Sequence, residues 1–291
     1  MEPERDSTAP GHRLTGAEVG PVLLQVSDLA RSLAFYDGVL GLRVLDRAGA
    51  EARLGTAAGR PLVGLRELSG ARPVPPEGRN GLYHFAILLP ERKFLGRFLR
   101  HLAALGTRVG LADHLVSEAS YLRDPDGLGI EVYADRPRES WVYRNGEVLL
   151  TTDPLDTDAL EEAAGSSPWD GIPDGTVMGH MHLHVGDLGV AGRFYHSTLG
   201  LDKTMWSYPG ALFLSADGYH HHLGLNRWGA PKNPTPEDAR LLEWTLGLRG
   251  TDQVELVADA LDQTGHPVSR MKGAWTVDDP WGTTLRVHEA P

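Results

Sequence analysis

The chain is predicted to be an α+β protein of four βαβββ modules, paired into two curved mixed-sheet cups. Two internal echoes and the residues that punctuate them carry that prediction. Residues 26–42, VSDLARSLAFYDGVLGL, align without a gap on residues 185–201, VGDLGVAGRFYHSTLGL, with eight of seventeen positions identical. The segments DPDGLGIEV (124–132) and DPWGTTLRV (279–287) form the second echo. Repeats of this kind fix architecture more firmly than local propensity does.

In module one (20–70) and module three (178–228), a strand runs into Asp28 or Asp187, each placed to cap a helix. Phe35-Tyr36 and Phe194-Tyr195 fall on the apolar face of that helix, where they are expected to pack, and Gly41 and Gly200 end it. Modules two (81–134) and four (242–288) start at Leu82–Leu89 and Glu243–Leu248. Their helices, to about Leu105 and Thr264, close on Gly106 and Gly265 before the chain re-enters a strand. Asp-Pro-x-Gly is turn chemistry, and the alternation after it is a strand. Along the chain, 1–17 is expected to be a mobile tail, 18–134 an N-terminal unit of modules one and two, and 178–291 a C-terminal unit of modules three and four. The acid-rich connector 135–177 is expected to be a solvated, partly structured arm, some of it, with Trp141 and Tyr143, ordered against a domain.

Composition excludes several functions. The 291 residues carry 39 acidic and 28 basic side chains, a formal charge of −11 with no compensating basic run, which disfavours nucleic acid. No segment has the ~20 uninterrupted apolar residues of a membrane helix, so a cytoplasmic protein is expected. With no cysteine there are no disulfides, thiolate nucleophiles or cysteine metal sites. Thirteen histidines remain, several beside strand-like alternation, where imidazole can ligate a metal.

Side chains alternate across a strand. In 180–185, Met181, Leu183 and Val185 belong under a helix, which turns His180, His182 and His184 to the opposite face. In 222–226, Leu223 and Leu225 leave His222, Gly224 and Asn226 on that face. In module two, Phe85, Ile87 and Leu89 leave His84 there, and Ile130 and Val132 leave Glu131.

With its duplicated V-x-D-L…F-Y-x4-L-G-L, its D-P-x-G-x3-E strand and Gly179-His180, the chain resembles the vicinal oxygen chelate superfamily over residues 20–288. It is most similar to the extradiol, catechol 2,3-dioxygenase-like branch. The resemblance implies a divalent metal on the concave face, with ligands from the first and last strands of modules. His84 and Glu131 match those positions in module two, and His180 and His222 in module three; either His222 or its neighbour His221 remains open as a ligand. Modules one and four offer Pro21 and Arg286 instead, neither able to ligate a cation. Pairing modules two with three, and one with four, therefore gathers His84, Glu131, His180 and His222 in one cup.

The segment His114 to Glu131 also matches the spacing of the extradiol signature, departing from it at Ala112 and Ser120. The resemblance makes His114 a proton carrier and Tyr121 a hydrogen bonder to substrate or bound oxygen. It implies Fe(II), with Mn(II), Ni(II) or Zn(II) as alternatives, and a small aromatic substrate with O2 as partners; a homodimer is allowed. Glyoxalase-like metal-dependent isomerase or lyase chemistry and metal-free drug binding are the rival readings. His182 and His184 are expected to line the substrate pocket, and Trp206, Trp228, Trp244 and Trp275 to sit in the core or at its rim.

Overall fold

A computed structural model describes residues 12–290. Module one comprises β1 (Glu18–Val26), α1 (Leu29–Gly38), β2 (Arg43–Ala48), β3 (Glu51–Gly55) and β4 (Pro61–Glu67). Module two comprises β5 (Gly81–Leu88), α2 (Arg92–Ala104), β6 (Gly110–Asp113), β7 (Ser117–Arg123) and β8 (Gly129–Asp135). The connector contributes β9 (Tyr143–Arg144), β10 (Glu147–Val148) and α3 (Thr157–Ala164). Module three comprises β11 (Val177–His184), α4 (Leu188–Ala191), a π-helical continuation (Gly192–Thr198), β12 (Asp202–Met205), β13 (Ala211–Ser215) and β14 (Leu223–Asn226). Module four comprises β15 (Arg240–Leu248), α5 (Thr251–Gln263), β16 (Ser269–Met271), β17 (Ala274–Asp278) and β18 (Thr284–Glu289).

The predicted punctuation is present at each repeat. Asp28 and Asp187 accept the N–H groups of Arg31 and Val190 as helix N-caps. Gly41 and Gly200 sit at φ +79° and +97°, the left-handed conformation that glycine adopts at least cost after a helix. Tyr36 and Tyr195 are buried as expected and also bind the second echo. Tyr36 donates to Asp124 Oδ2 at 3.2 Å, and Tyr195 to Asp279 Oδ2 at 2.9 Å. Each acceptor uses its other oxygen to cap its own turn, Asp124 taking the N–H groups of Asp126 and Leu128, and Asp279 those of Trp281 and Thr283.

Two eight-stranded mixed sheets result. One runs β16-β17-β18-β15-β1-β4-β3-β2, the other β12-β13-β14-β11-β5-β8-β7-β6. Module one thus shares a sheet with module four and module two with module three, through antiparallel β1–β15 and β5–β11 seams. One face of each sheet and the helices form a continuous apolar core that includes Phe85, Ile87, Phe98, Met181, Leu183, Trp244 and Trp275. Among the described residues, no helix is long and apolar enough to cross a membrane.

Two expectations change. Residues 1–11 of the expected tail lie outside the described residues, but residues 12–17 are packed: Leu14 is buried and its N–H reaches the Gly200 carbonyl at 3.0 Å. The connector is docked more extensively than a solvated arm, with Trp141 ordered against the domain as its aromatics implied while Tyr143 stays exposed. α3 lies so close to α2 that a Cβ on Gly96 would fall 2.2 Å from the Leu160 carbonyl oxygen. Arg92 and Arg97 tie down the Ala159 and Ala164 carbonyls, and Trp141 is buried with its indole N–H on the Arg136 carbonyl.

Candidate metal centre and its cavity

His180, Glu131 and His84 come from three adjacent strands, β11, β8 and β5. Glu131 and His180 both stand opposite Ala86 of β5, and His84 stands opposite His182. All three point away from the helices into a cavity of about 240 Å³. One ligand atom from each lies within 4.8 Å of the others, the one such group of three found among the described residues. Glu131 Oε2 is 3.0 Å from His84 Nε2 and 3.1 Å from His180 Nε2. Despite that distance, His84 Nε2 makes no hydrogen bond of acceptable geometry and is buried without a partner. Two imidazoles and a carboxylate converging on one point, with a nitrogen left unpaired, fit a shared cation that keeps coordination positions open.

Electrostatics favour the same states. Burial holds the His84 imidazole below its ordinary range, against the pull of Glu131, so the ring keeps a lone pair to give. Burial alone would raise the Glu131 carboxyl, but His180 and His84 outweigh it and hold it well below the usual carboxylate range. Burial first, then neighbouring His84, holds His182 well below its range.

Backbone irregularities make the crowding possible. The β5–β11 ladder slips at Gly179 and again opposite Tyr83. At such bulges an extra residue is turned without a partner, a device common beside functional sites. The first slip seats Gly179 against Tyr133, where a Cβ would fall 1.9 Å from the phenol oxygen. The second lets Tyr83 join His84 on the cavity wall, its ring 4.8 Å from that of His84 and 4.7 Å from that of His184.

His114 and Tyr121 line the cavity as a pair. His114 Nε2 is 2.6 Å from the Tyr121 hydroxyl, and its Nδ1 is 2.5 Å from the Thr151 carbonyl oxygen. A carbonyl only accepts, so Nδ1 carries the proton and Nε2 accepts from Tyr121. The connector supplies that carbonyl through reciprocal backbone bonds between Asp113 and Asp153, each 2.9 Å. Leu115, which follows His114, is in the left-handed conformation at φ 66° and is anchored by its N–H on Asp113 Oδ1. Burial, ahead of the Glu131 charge, pushes the Tyr121 phenol well above its usual range.

His222 is not brought to the trio. Alternation applies only within a strand, and β14 begins at Leu223, after a bend at His222. The ring turns instead to Ser215, 2.9 Å from its hydroxyl, and takes the Ala216 N–H. Burial depresses its pKa to about 3. Its neighbour His221 lines the cavity in its place, its ring centroid 4.1 Å from that of His180. His182 lines the cavity as expected, whereas His184 does not; both are held by Asn226. The Asn226 amide donates to His182 Nε2 at 2.9 Å, and its oxygen accepts from His184 Nδ1 at 2.6 Å. Trp228 lies at the rim and lines the cavity, Trp206 is exposed, and Trp244 and Trp275 are core.

The other sheet repeats the frame without the donors. Ladder registers align Glu243 with His84, Arg286 with Glu131 and Pro21 with His180. Arg286 grips Glu243 through two bonds of 2.7 and 2.8 Å, so an ion pair occupies the place that the candidate ligands hold in the other sheet.

The sequence profile of the glyoxalase/bleomycin resistance protein/dioxygenase superfamily matches residues 18–132. A catechol-2,3-dioxygenase of Bacillus subtilis (strain 168) is 43% identical over 267 residues, covering 90% of this chain and 93% of its own length. Among solved structures, one from Bacillus subtilis subsp. subtilis str. 168 aligns with a TM-score of 0.66 at 12% identity, over 96% of this chain and 86% of the other. Glyoxalase I from Zea mays aligns with a TM-score of 0.55 at 16% identity, over 94% and 92% of the two chains. These two likenesses speak for the fold alone; identity sustained across nearly the whole chain goes further, and by it the protein belongs to the glyoxalase/bleomycin resistance protein/dioxygenase superfamily.

Proposed function

We propose that the protein is a cytoplasmic, mononuclear Fe(II) extradiol dioxygenase that opens a catechol-like aromatic ring with O2. The observation that carries this reading is the convergence of His84, Glu131 and His180 on one point of an aromatic-walled cavity. Similarity to a catechol-2,3-dioxygenase over 90% of the chain supports it. When bound, Fe(II) supplies open coordination positions and redox capacity at which a vicinal diol and O2 can meet.

The chain's own residues do the rest. Tyr83, Tyr208, Phe213 and Trp228 form walls suited to a planar ring and keep water from it. Among the described residues lining the cavity there is no Lys or Arg, so an uncharged ring is favoured over one bearing a carboxylate. Because Tyr121 gives its proton to His114, its oxygen is left as an acceptor for a substrate hydroxyl. His114 Nε2 can take the Tyr121 proton as Tyr121 takes one from the diol, while Thr151 holds the imidazole in the required orientation. Loss of a diol proton raises electron density on the ring, and cleavage beside the diol gives a semialdehyde.

The test is anaerobic loading with Fe(II), then O2 uptake across a panel of catechols. Stoichiometric uptake with a product absorbing in the near ultraviolet or visible is expected. Absence of O2 consumption, with turnover of a hemithioacetal, would replace this reading by glyoxalase-like isomerisation.

A further inference from the structure

Strand β8 turns Glu131, Tyr133 and Asp135 to the same face, and the segment 219–221 crosses that row. Tyr219 donates its hydroxyl to Asp135, at 3.0 and 3.2 Å from the two carboxylate oxygens, and Tyr133 lies 2.7 Å from Tyr219. His220 Nε2 is 2.9 Å from Asp135 Oδ1. The His220 ring is buried, with the rings of Tyr219 and Trp141 at 4.0 and 5.3 Å, and its carbonyl takes the Thr204 hydroxyl at 2.7 Å. Its other nitrogen, Nδ1, faces His221 Nδ1 at 2.8 Å. None of these contacts is needed to assemble the three converging ligand atoms.

Two ring nitrogens at that distance share one proton. A carboxylate only accepts, so His220 places its hydrogen on Nε2 and meets His221 with a lone pair. His221 must then carry its hydrogen on Nδ1, which leaves Nε2 as its free acceptor at the cavity wall beside His180. Resting on the dioxygenase reading above, we propose that Asp135 and His220 are positioning residues. They fix His221 in one orientation and in the Nδ1–H tautomer, so that Nε2 accepts a hydrogen bond from the aromatic substrate's hydroxyl. The site then holds an acceptor on each side of the ligand group, Tyr121 on one and His221 on the other.

The tautomer can be read without turnover. In EDTA-treated full-length protein labelled with 15N-histidine, the His221 signals, identified by their loss in His221→Gln, should show a protonated Nδ1 and a bare Nε2. His220→Asn keeps an acceptor where Nδ1 stood and should preserve that pattern; His220→Phe should lose it. In Fe(II)-loaded enzyme, His220→Phe should lower kcat roughly 10–100-fold, as loss of a supporting partner does elsewhere. KM and bound iron should stay within about twofold, and His220→Asn should recover most of the rate. A proton on Nε2 of His221 in the wild type, which requires no variant to fold, overturns the proposal, and so does an unchanged tautomer in His220→Phe. A wild-type enzyme inert to every catechol would instead sink the dioxygenase reading and leave the tautomer result standing.

Discussion

Tyr36→Phe deletes a single atom, the hydroxyl oxygen whose proton goes to Asp124. Both groups are buried. Burial, the largest influence, pushes the Asp124 carboxyl up to about 7, while the Leu128 and Asp126 N–H groups and the Tyr36 hydroxyl pull it down. In the unfolded chain it titrates near ~3.9. Between those values the folded state holds a proton that the unfolded state has released, so this group's contribution to stability falls as pH rises from about 4 to about 7. At any pH below about 7 the folded carboxyl is neutral and the Tyr36 bond is made to a neutral acid, worth ~0.5–1.5 kcal/mol; above about 7 the acceptor is charged and the bond is worth ~1.5–3 kcal/mol. Tyr36→Phe should therefore cost about 1–1.5 kcal/mol more above about pH 7 than below it, equivalent to moving the folded pKa up by about one unit. Urea unfolding of wild type and variant near pH 5 and near pH 8.5, in EDTA, measures the difference. The twin contact offers a second trial. Tyr195→Phe should show the same sign, because burial also pushes Asp279 up and Tyr195 is its hydrogen-bonded partner. Equal losses at the two pH values, or a larger loss at pH 5, would refute the reasoning.

His84→Ala should reduce metal affinity, measured by calorimetry with Mn(II), by more than the ~10–100-fold that losing a supporting group costs, while His222→Ala stays within about threefold of wild type. Gly179→Ala should cost ~1–3 kcal/mol by denaturant unfolding, since its Cβ meets the Tyr133 phenol, and part of that loss should return in a Tyr133→Phe background. Full additivity of those two changes would contradict the clash. Tyr121→Phe should lower kcat by ~10²-fold or more with metal content unchanged, read by O2 uptake and metal analysis of the same samples.

Much of this architecture was legible because the informative residues lie inside regular strands. His84, Glu131 and His180 obey a period of two against strongly apolar neighbours, so their common face could be read directly. The module pairing was legible through the resemblance: at the ligand positions it implies, proline at 21 and arginine at 286 cannot hold a cation, and the sheets do join modules two and three. What escaped lies where periodicity breaks. His222 faces Ser215 and His221 lines the cavity because the chain bends just before β14, and alternation does not carry back across a bend. Tyr83 reaches the cavity through a bulge that its own strand does not announce. The Thr151 carbonyl belongs to the connector, and no local pattern predicts that a backbone oxygen 37 residues from His114 will set its tautomer. The row of three histidines at 220–222 allowed a solvent-facing loop, whereas His220 and His221 are buried.

The crossed seams also shape how the molecule must be made. As synthesis proceeds, residues 18–134 emerge with β1 and β5 each lacking the strand that later flanks it, two open borders that invite the wrong neighbour. Neither half can finish a sheet until β11 and β15 arrive, and His180 is made only after His84 and Glu131. Assembly of the candidate centre thus waits for β11, and a fragment ending before residue 177 would carry His84 and Glu131 without His180.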